Sequence, residues 1–162
     1  MVTFSERNDT LATATPTGLS ANNLGRLSFS GEIGDNPDIA PQSDVDLFKV
    51  QLDVGDRLTI DIEADIVGSS LDSILRLFAA NGNEVAVNDD DFGSLDSLIN
   101  FTAVVSDTYF IGVSGYSNFS YDPFTEGSGD FGSTGEYSLE ITLESPLHMN
   151  RTIPLRPQRQ RG

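Results

Sequence analysis

The sequence predicts an all-β protein, a two-sheet antiparallel β-sandwich of jelly-roll type with about eight strands. Three observations carry this. Ten Phe and four Tyr accompany many Val, Ile and Leu residues, the side chains that suit a pleated, half-buried surface. Fifteen Gly and seven Pro punctuate the chain at short intervals. Between them, apolar and polar residues alternate with a period of two. At 162 residues the chain has the length of one domain with an ordinary core, and no apolar run approaches transmembrane length.

Residues 1–23 are polar and turn-rich, with Asn8-Asp9-Thr10 and Pro16-Thr17-Gly18, and read as an irregular N-terminal segment packed on the sandwich. The sandwich itself is expected over 24–144. Leu27 and Phe29 alternate with Ser28 and Ser30, and Phe48, Val50 and Leu52 with Lys49 and Gln51. The clearest case is Arg57–Ile66, where Leu58, Ile60, Ile62, Ala64 and Ile66 share one face and Thr59, Asp61, Glu63 and Asp65 the other; a helix would scatter that set. Further strands are expected at Ile74–Phe78, Glu84–Val87, Leu98–Val104, Thr108–Val113 and Glu136–Leu143. Leu71-Asp72-Ser73-Ile74-Leu75 is echoed by Leu95-Asp96-Ser97-Leu98-Ile99, marking two equivalent loop-to-strand junctions whose Asp and Ser oxygens either cap a turn or face a shared ion. Gly115–Gly135 is a long insertion rich in Gly, Ser and aromatics, a length usually functional or disordered. The Pro- and Arg-rich tail 145–162 is too polar to extend the sandwich and is expected to be disordered.

All 25 acidic residues lie before Ser145 against five basic ones, so residues 1–146 carry −20 while Arg151, Arg156, Arg159 and Arg161 make the tail basic. Such a body repels nucleic acid and anionic membrane surfaces and attracts cations. There is no Cys, hence no disulfide framework and no thiolate metal site, and the single His148 sits in the tail. A nucleophile elbow is missing and acidic pairs are too numerous to single out a glycosidase dyad, so no catalytic residue is assigned.

Calcium takes six to eight hard oxygen ligands, which irregular acidic loops supply. Asp44 and Asp46 lie two residues apart at the start of a strand and point the same way. Asn88-Asp89-Asp90-Asp91 places three carboxylates in one turn. Crowding like charges is unfavourable unless a cation offsets it, although Asn and Asp are also ordinary solvated turn residues. Neither cluster has the spacing of an EF-hand or of a glycine-rich calcium repeat. In the insertion, Tyr116, Phe119, Tyr121 and Phe124 suit either an exposed platform for a sugar or polypeptide, or core packing.

Asn8-Asp9-Thr10, the Asp44-Val45-Asp46-Leu47-Phe48 strand start, and the run from Leu71 through Asn88-Asp89-Asp90 to Tyr109-Phe110-Ile111-Gly112-Val113 together resemble the bacterial pre-peptidase C-terminal domain family, over roughly residues 6–143. The resemblance implies a β-sandwich found beside secreted peptidases and in cell-surface proteins. In collagen-binding relatives, calcium lies between an N-terminal Glu-x-Asn-Asp segment and an acidic strand start. Carried over, Glu6, Asn8 and Asp9 supply the N-terminal ligands and Asp44 and Asp46 the facing ones. Asp89, Asp90 and Asp91 follow a different branch of the family. Arg7 stands where proline is common, and Phe4 where some members have a further acid.

The function expected is therefore that of a non-catalytic, calcium-binding accessory or adhesive module of an exported or cell-surface bacterial protein, monomeric as an isolated domain. No secretory signal is visible in residues 1–20. The alternative is a carbohydrate- or matrix-protein-binding module working through the aromatic loop 115–135.

Overall fold

The computed structural model describes residues 6–146, so Phe4 and the tail from Leu147 onward lie outside the described residues. Among the described residues nine strands form: β1 (Thr15–Pro16), β2 (Gly25–Ile33), β3 (Asp46–Leu52), β4 (Arg57–Glu63), β5 (Ser73–Phe78), β6 (Glu84–Asn88), β7 (Leu98–Thr102), β8 (Asp107–Gly115) and β9 (Gly135–Glu144). They build the expected two-sheet sandwich. One sheet runs β1-β3-β8-β5-β6 and the other β2-β9-β4-β7. All pairings are antiparallel except the short β1, which lies parallel to β3.

Alternation decides which side chains meet between the sheets. Phe48, Val50 and Leu52 of β3, Ile111 and Val113 of β8, Leu58, Ile60 and Ile62 of β4, and Tyr137, Leu139, Ile141 and Leu143 of β9 join one buried core. Two of the expected strands end early. Beyond Asp61 and Glu63, β4 has no further ladder partner in β7 or β9, and the chain leaves the sheet through a 3-10 turn at Asp65–Val67, closed by Gly68 at φ 77°. Ile66, expected inward, is thus 77% exposed. Likewise β7 stops at Thr102 and leaves Val104 in solvent.

A second, smaller core lies on the outer face of the five-stranded sheet. Leu11, Ala14, Val45, Leu47, Phe78, Phe110 and Tyr121 cluster there, so the N-terminal segment and the long β8–β9 loop cover that face like a partial third layer. Gly112 makes this possible, because any side chain on it would run into the Tyr121 hydroxyl.

The two Asp-Ser echoes meet and cap one another. Ser97 N donates to Ser73 Oγ at 3.0 Å and Ser97 Oγ to the Ser73 carbonyl at 2.7 Å, while Asp96 Oδ1 accepts from Ala64 N at 2.9 Å. Loops 34–45, 64–72, 89–97 and 116–134 all gather at one end of the sandwich, where β2, β4, β6 and β8 finish. At the opposite end the last described residue, Pro146, lies beside Gly55.

Candidate metal centre

The centre grows from the first residues of β3. Its inward positions are Asp46, Phe48, Val50 and Leu52, so the alternation that builds the core also drives a carboxylate into the end of it. Asp46 is wholly buried; its Oδ2 accepts the Tyr137 hydroxyl of β9. Asp44 follows a 3-10 turn at Pro41–Ser43, and its Oδ2 accepts Gly34 N at 2.6 Å. The N-terminal segment is tied to the same strand: Leu47 N donates to the Asn8 carbonyl at 3.0 Å and Asn8 Nδ2 to the Leu47 carbonyl at 3.4 Å. This brings Asn8 and Asp9, both buried, against Asp44.

Asp35, in the loop after β2, completes the group. Carboxylate oxygens of Glu6, Asp35 and Asp44 lie within 4.8 Å of one another. Asn8 Oδ1, Asp9 Oδ1, Asp44 Oδ1 and Asp46 Oδ1 are buried oxygens with no hydrogen-bond donor. Burial, reinforced by neighbouring carboxylates, pushes the Glu6 carboxyl up to about 8 and Asp9 up to about 7. Burial raises Asp44 against the pull of the Gly34 backbone N–H, and it raises Asp46 far above the carboxylate range although the Tyr137 hydroxyl favours the charged form.

Buried acceptors without donors are rare and costly. A cation satisfies several at once, and this donor set, carboxylates plus an amide carbonyl with no nitrogen or sulfur, suits a hard ion such as calcium. The residues fit calcium, then: Glu6, Asn8, Asp9, Asp35, Asp44 and Asp46 would hold it, and the ion would supply the positive charge that these oxygens lack.

Residues 44–115 match the family model for the bacterial pre-peptidase C-terminal domain. The match with that family is to this stretch. The chain is also 34% identical over 142 residues to a probable subtilase-type serine protease of Deinococcus radiodurans, a match covering 85% of this chain but only 18% of the protease. The fold is shared with solved structures at 15% identity. One is a periplasmic inhibitor of g-type lysozyme from Aeromonas hydrophila, with a TM-score of 0.54 over 81% of this chain and 96% of that one. Another is the pre-peptidase C-terminal domain of a collagenase from Bacillus anthracis, with a TM-score of 0.51 over 80% and 94%.

The structure places Glu6, Asn8, Asp9, Asp44 and Asp46 at the same end of the sandwich. Asp89, Asp90 and Asp91 are not among them: three strand spacings across β3-β8-β5-β6, roughly 14 Å, separate Asp46 from the end of β6. Their loop is organised as a turn, with Asn88 Nδ2 donating to the Asp90 carbonyl at 3.0 Å and Asp91 N to the Asp96 carbonyl at 2.9 Å. Sequence reasoning missed Asp35, because Gly34-Asp35-Asn36-Pro37 reads as an ordinary turn.

The aromatic platform needs correction. Tyr121 is only 2% exposed, packed edge-on against Phe78 and under the Arg76 guanidinium, whose Nη1 donates to its carbonyl at 2.8 Å. The reason is the apolar outer face at Phe78, Phe110 and Gly112, which needs a lid. Phe124 leans over Gly82. Phe124 nonetheless stays exposed, and Tyr116 and Phe119 form an exposed T-shaped pair, 5.7 Å between ring centres.

Proposed function

We propose that this domain is a calcium-stabilised, non-catalytic accessory module of an exported or cell-surface bacterial protein, in which the ion fastens the N-terminal segment and the loop after β2 to the start of β3. The observation that carries this reading is the group of carboxylate oxygens of Glu6, Asp35 and Asp44, within 4.8 Å of one another, flanked by buried donor-less oxygens of Asp9, Asp44 and Asp46. Three separate stretches of chain contribute them. An ion there links binding to order: whatever binds only the folded state stabilises it. The relative in Deinococcus radiodurans, a probable subtilase-type serine protease, supports a place beside a peptidase. A second reading, a module that holds a polypeptide or sugar, is favoured by the Tyr116–Phe119 pair, whose residues are 51% and 38% exposed.

Thermal unfolding in calcium, in magnesium and in chelator tests the first reading. Calcium at a hundred times its Kd should add about 2.7 kcal/mol, or roughly 5–11 °C for a domain of this size. The Asp44→Asn, Asp46→Asn double variant should lose that rise and keep a folded chelator state, since burial already favours the neutral side chain at both positions. Absence of a calcium effect on the parent protein rejects the reading.

A further inference from the structure

The long loop between β8 and β9 is held by the same segments that converge on the metal centre. Its middle, residues 122–132, hangs between two posts on the five-stranded sheet. Tyr121 is buried and its carbonyl accepts from Arg76; Ser133 Oγ donates to the Asp72 carbonyl at 2.8 Å. Within this stretch the Phe124 ring lies over Gly82, Gly132 lies against the Gly115 carbonyl of β8, and Asp130 N donates to Asn118 Oδ1 at 3.0 Å; further ties lead to other segments. Leu11 N donates to the Pro123 carbonyl at 2.9 Å, which ties the loop to the N-terminal segment. Gly132 N donates to the Gln42 carbonyl at 2.8 Å and Gly127 packs against Ile39, which ties it to the loop after β2.

The remaining tie touches the centre itself. Asn36 is 2% exposed, and its Nδ2 donates to Asp9 Oδ2 at 2.8 Å and to Glu126 Oε1 at 3.2 Å. Its Oδ1 accepts Asp38 N at 3.0 Å, which fixes the amide's orientation. Both hydrogens of one NH2 group are thus spent on two carboxylates that face each other across a single nitrogen. Asp9 Oδ1 points away without a donor, toward the Asp44 side.

We propose that residues 122–132 form a cation-controlled latch, in which Glu126, through Asn36 and Asp9, couples occupancy of the metal centre to closure of the loop over the outer face of the five-stranded sheet. The proposal rests on the calcium reading above. Without a cation, whatever negative charge Asp9 and Asp44 carry repels Glu126 and works against the closed loop. A divalent ion on the far side of Asp9 cancels that repulsion and leaves the Asn36 bridge intact. Glu126 is a positioning residue here, acting through Asn36. Because Phe124 and Phe131 are 61% and 69% exposed on this stretch, opening the latch also rearranges the aromatic surface of the loop.

Hydrogen exchange of the full chain, read by mass spectrometry in chelator and in calcium, tests the latch, with calorimetry reporting calcium binding separately. Calcium should slow exchange across 122–132 by about tenfold, a coupling of ordinary size, and leave the turn at 89–96 unaffected. Glu126→Gln keeps the acceptor and removes the charge, so the loop should be protected in chelator as well. Glu126→Ala removes both, so the loop should exchange fast in both conditions while calcium still binds. Calcium binding with no change at 122–132, or a Glu126→Ala protein that behaves as the parent, overturns the latch and leaves the metal centre standing. Calorimetry that detects no calcium binding overturns both.

Discussion

A carboxylate buried as completely as Asp46, with one oxygen taking a tyrosine hydroxyl and the other facing acids, is stable in two ways: it keeps its proton or it gains a cation. The same choice holds for Glu6 and Asp9, and it sets a pH dependence. Their folded carboxyls titrate near 8 and 7, above the unfolded values of 4.5 and 3.8, so the folded state binds more protons in that window. Stability of the cation-free protein is therefore fully present below about pH 4 and declines as pH rises toward 8. In calcium the charges are paired, and protons compete with the ion, so the calcium-induced rise in melting temperature should be larger at pH 8 than at pH 5. Melting curves at the two pH values, in chelator and in calcium, check both slopes; a chelator protein that gains stability between pH 5 and 8 contradicts the burial of these acids. Arg7 adds a local feature to the same segment. Its φ of 80° is a left-handed turn that a proline ring, fixed near −65°, does not make. Its guanidinium pairs with Asp38 at the surface, 3.0 Å away.

At the scale of elements, β8 explains why one face of the fold was legible and the other was not. Tyr109-Phe110-Ile111-Gly112-Val113 is an unbroken apolar run, and both of its faces are buried. Such a run signals cover on both sides, yet it does not say what provides the cover, because Tyr121 sits in a Gly- and Ser-rich loop with no period of its own. The alternating strands β3, β4 and β9 could be read directly, since one buried face writes itself as every second residue; their ends could not, because Ile66 and Val104 continue the alternation past the last ladder partner. The centre divides the same way. Asp44 and Asp46 are two apart on one strand and visible as a pair, whereas Asp35, Asn36 and Glu126 are joined to them only by folding. The outer core makes a clear expectation: Tyr121→Ala should cost about 3–5 kcal/mol, as other buried aromatics do, while the exposed Tyr116→Ala should stay within about 0.5 kcal/mol. Denaturant unfolding of the two variants distinguishes a lid from a platform, and equal losses would mean that Tyr121 is not a lid.

Taken whole, the molecule joins a conventional inter-sheet core to an acidic end where every long loop gathers. The cation proposed there does no chemistry; it replaces the cross-links that a chain without cysteine lacks. Its position has a mechanical meaning. Glu6 lies in the acidic end, and the chain then runs parallel to β3 before the sheets begin, while Pro146 leaves from the opposite end. Tension applied between residues 6 and 146 is thus directed along the strands, and at its upstream point it meets the metal centre before it meets the β1–β3 hydrogen bonds. Pulled in calcium, the module should resist as a bolted joint and yield at higher force than in chelator; pulled without it, residues 6–14 should peel away first and lengthen the tether while the sandwich behind them stays closed.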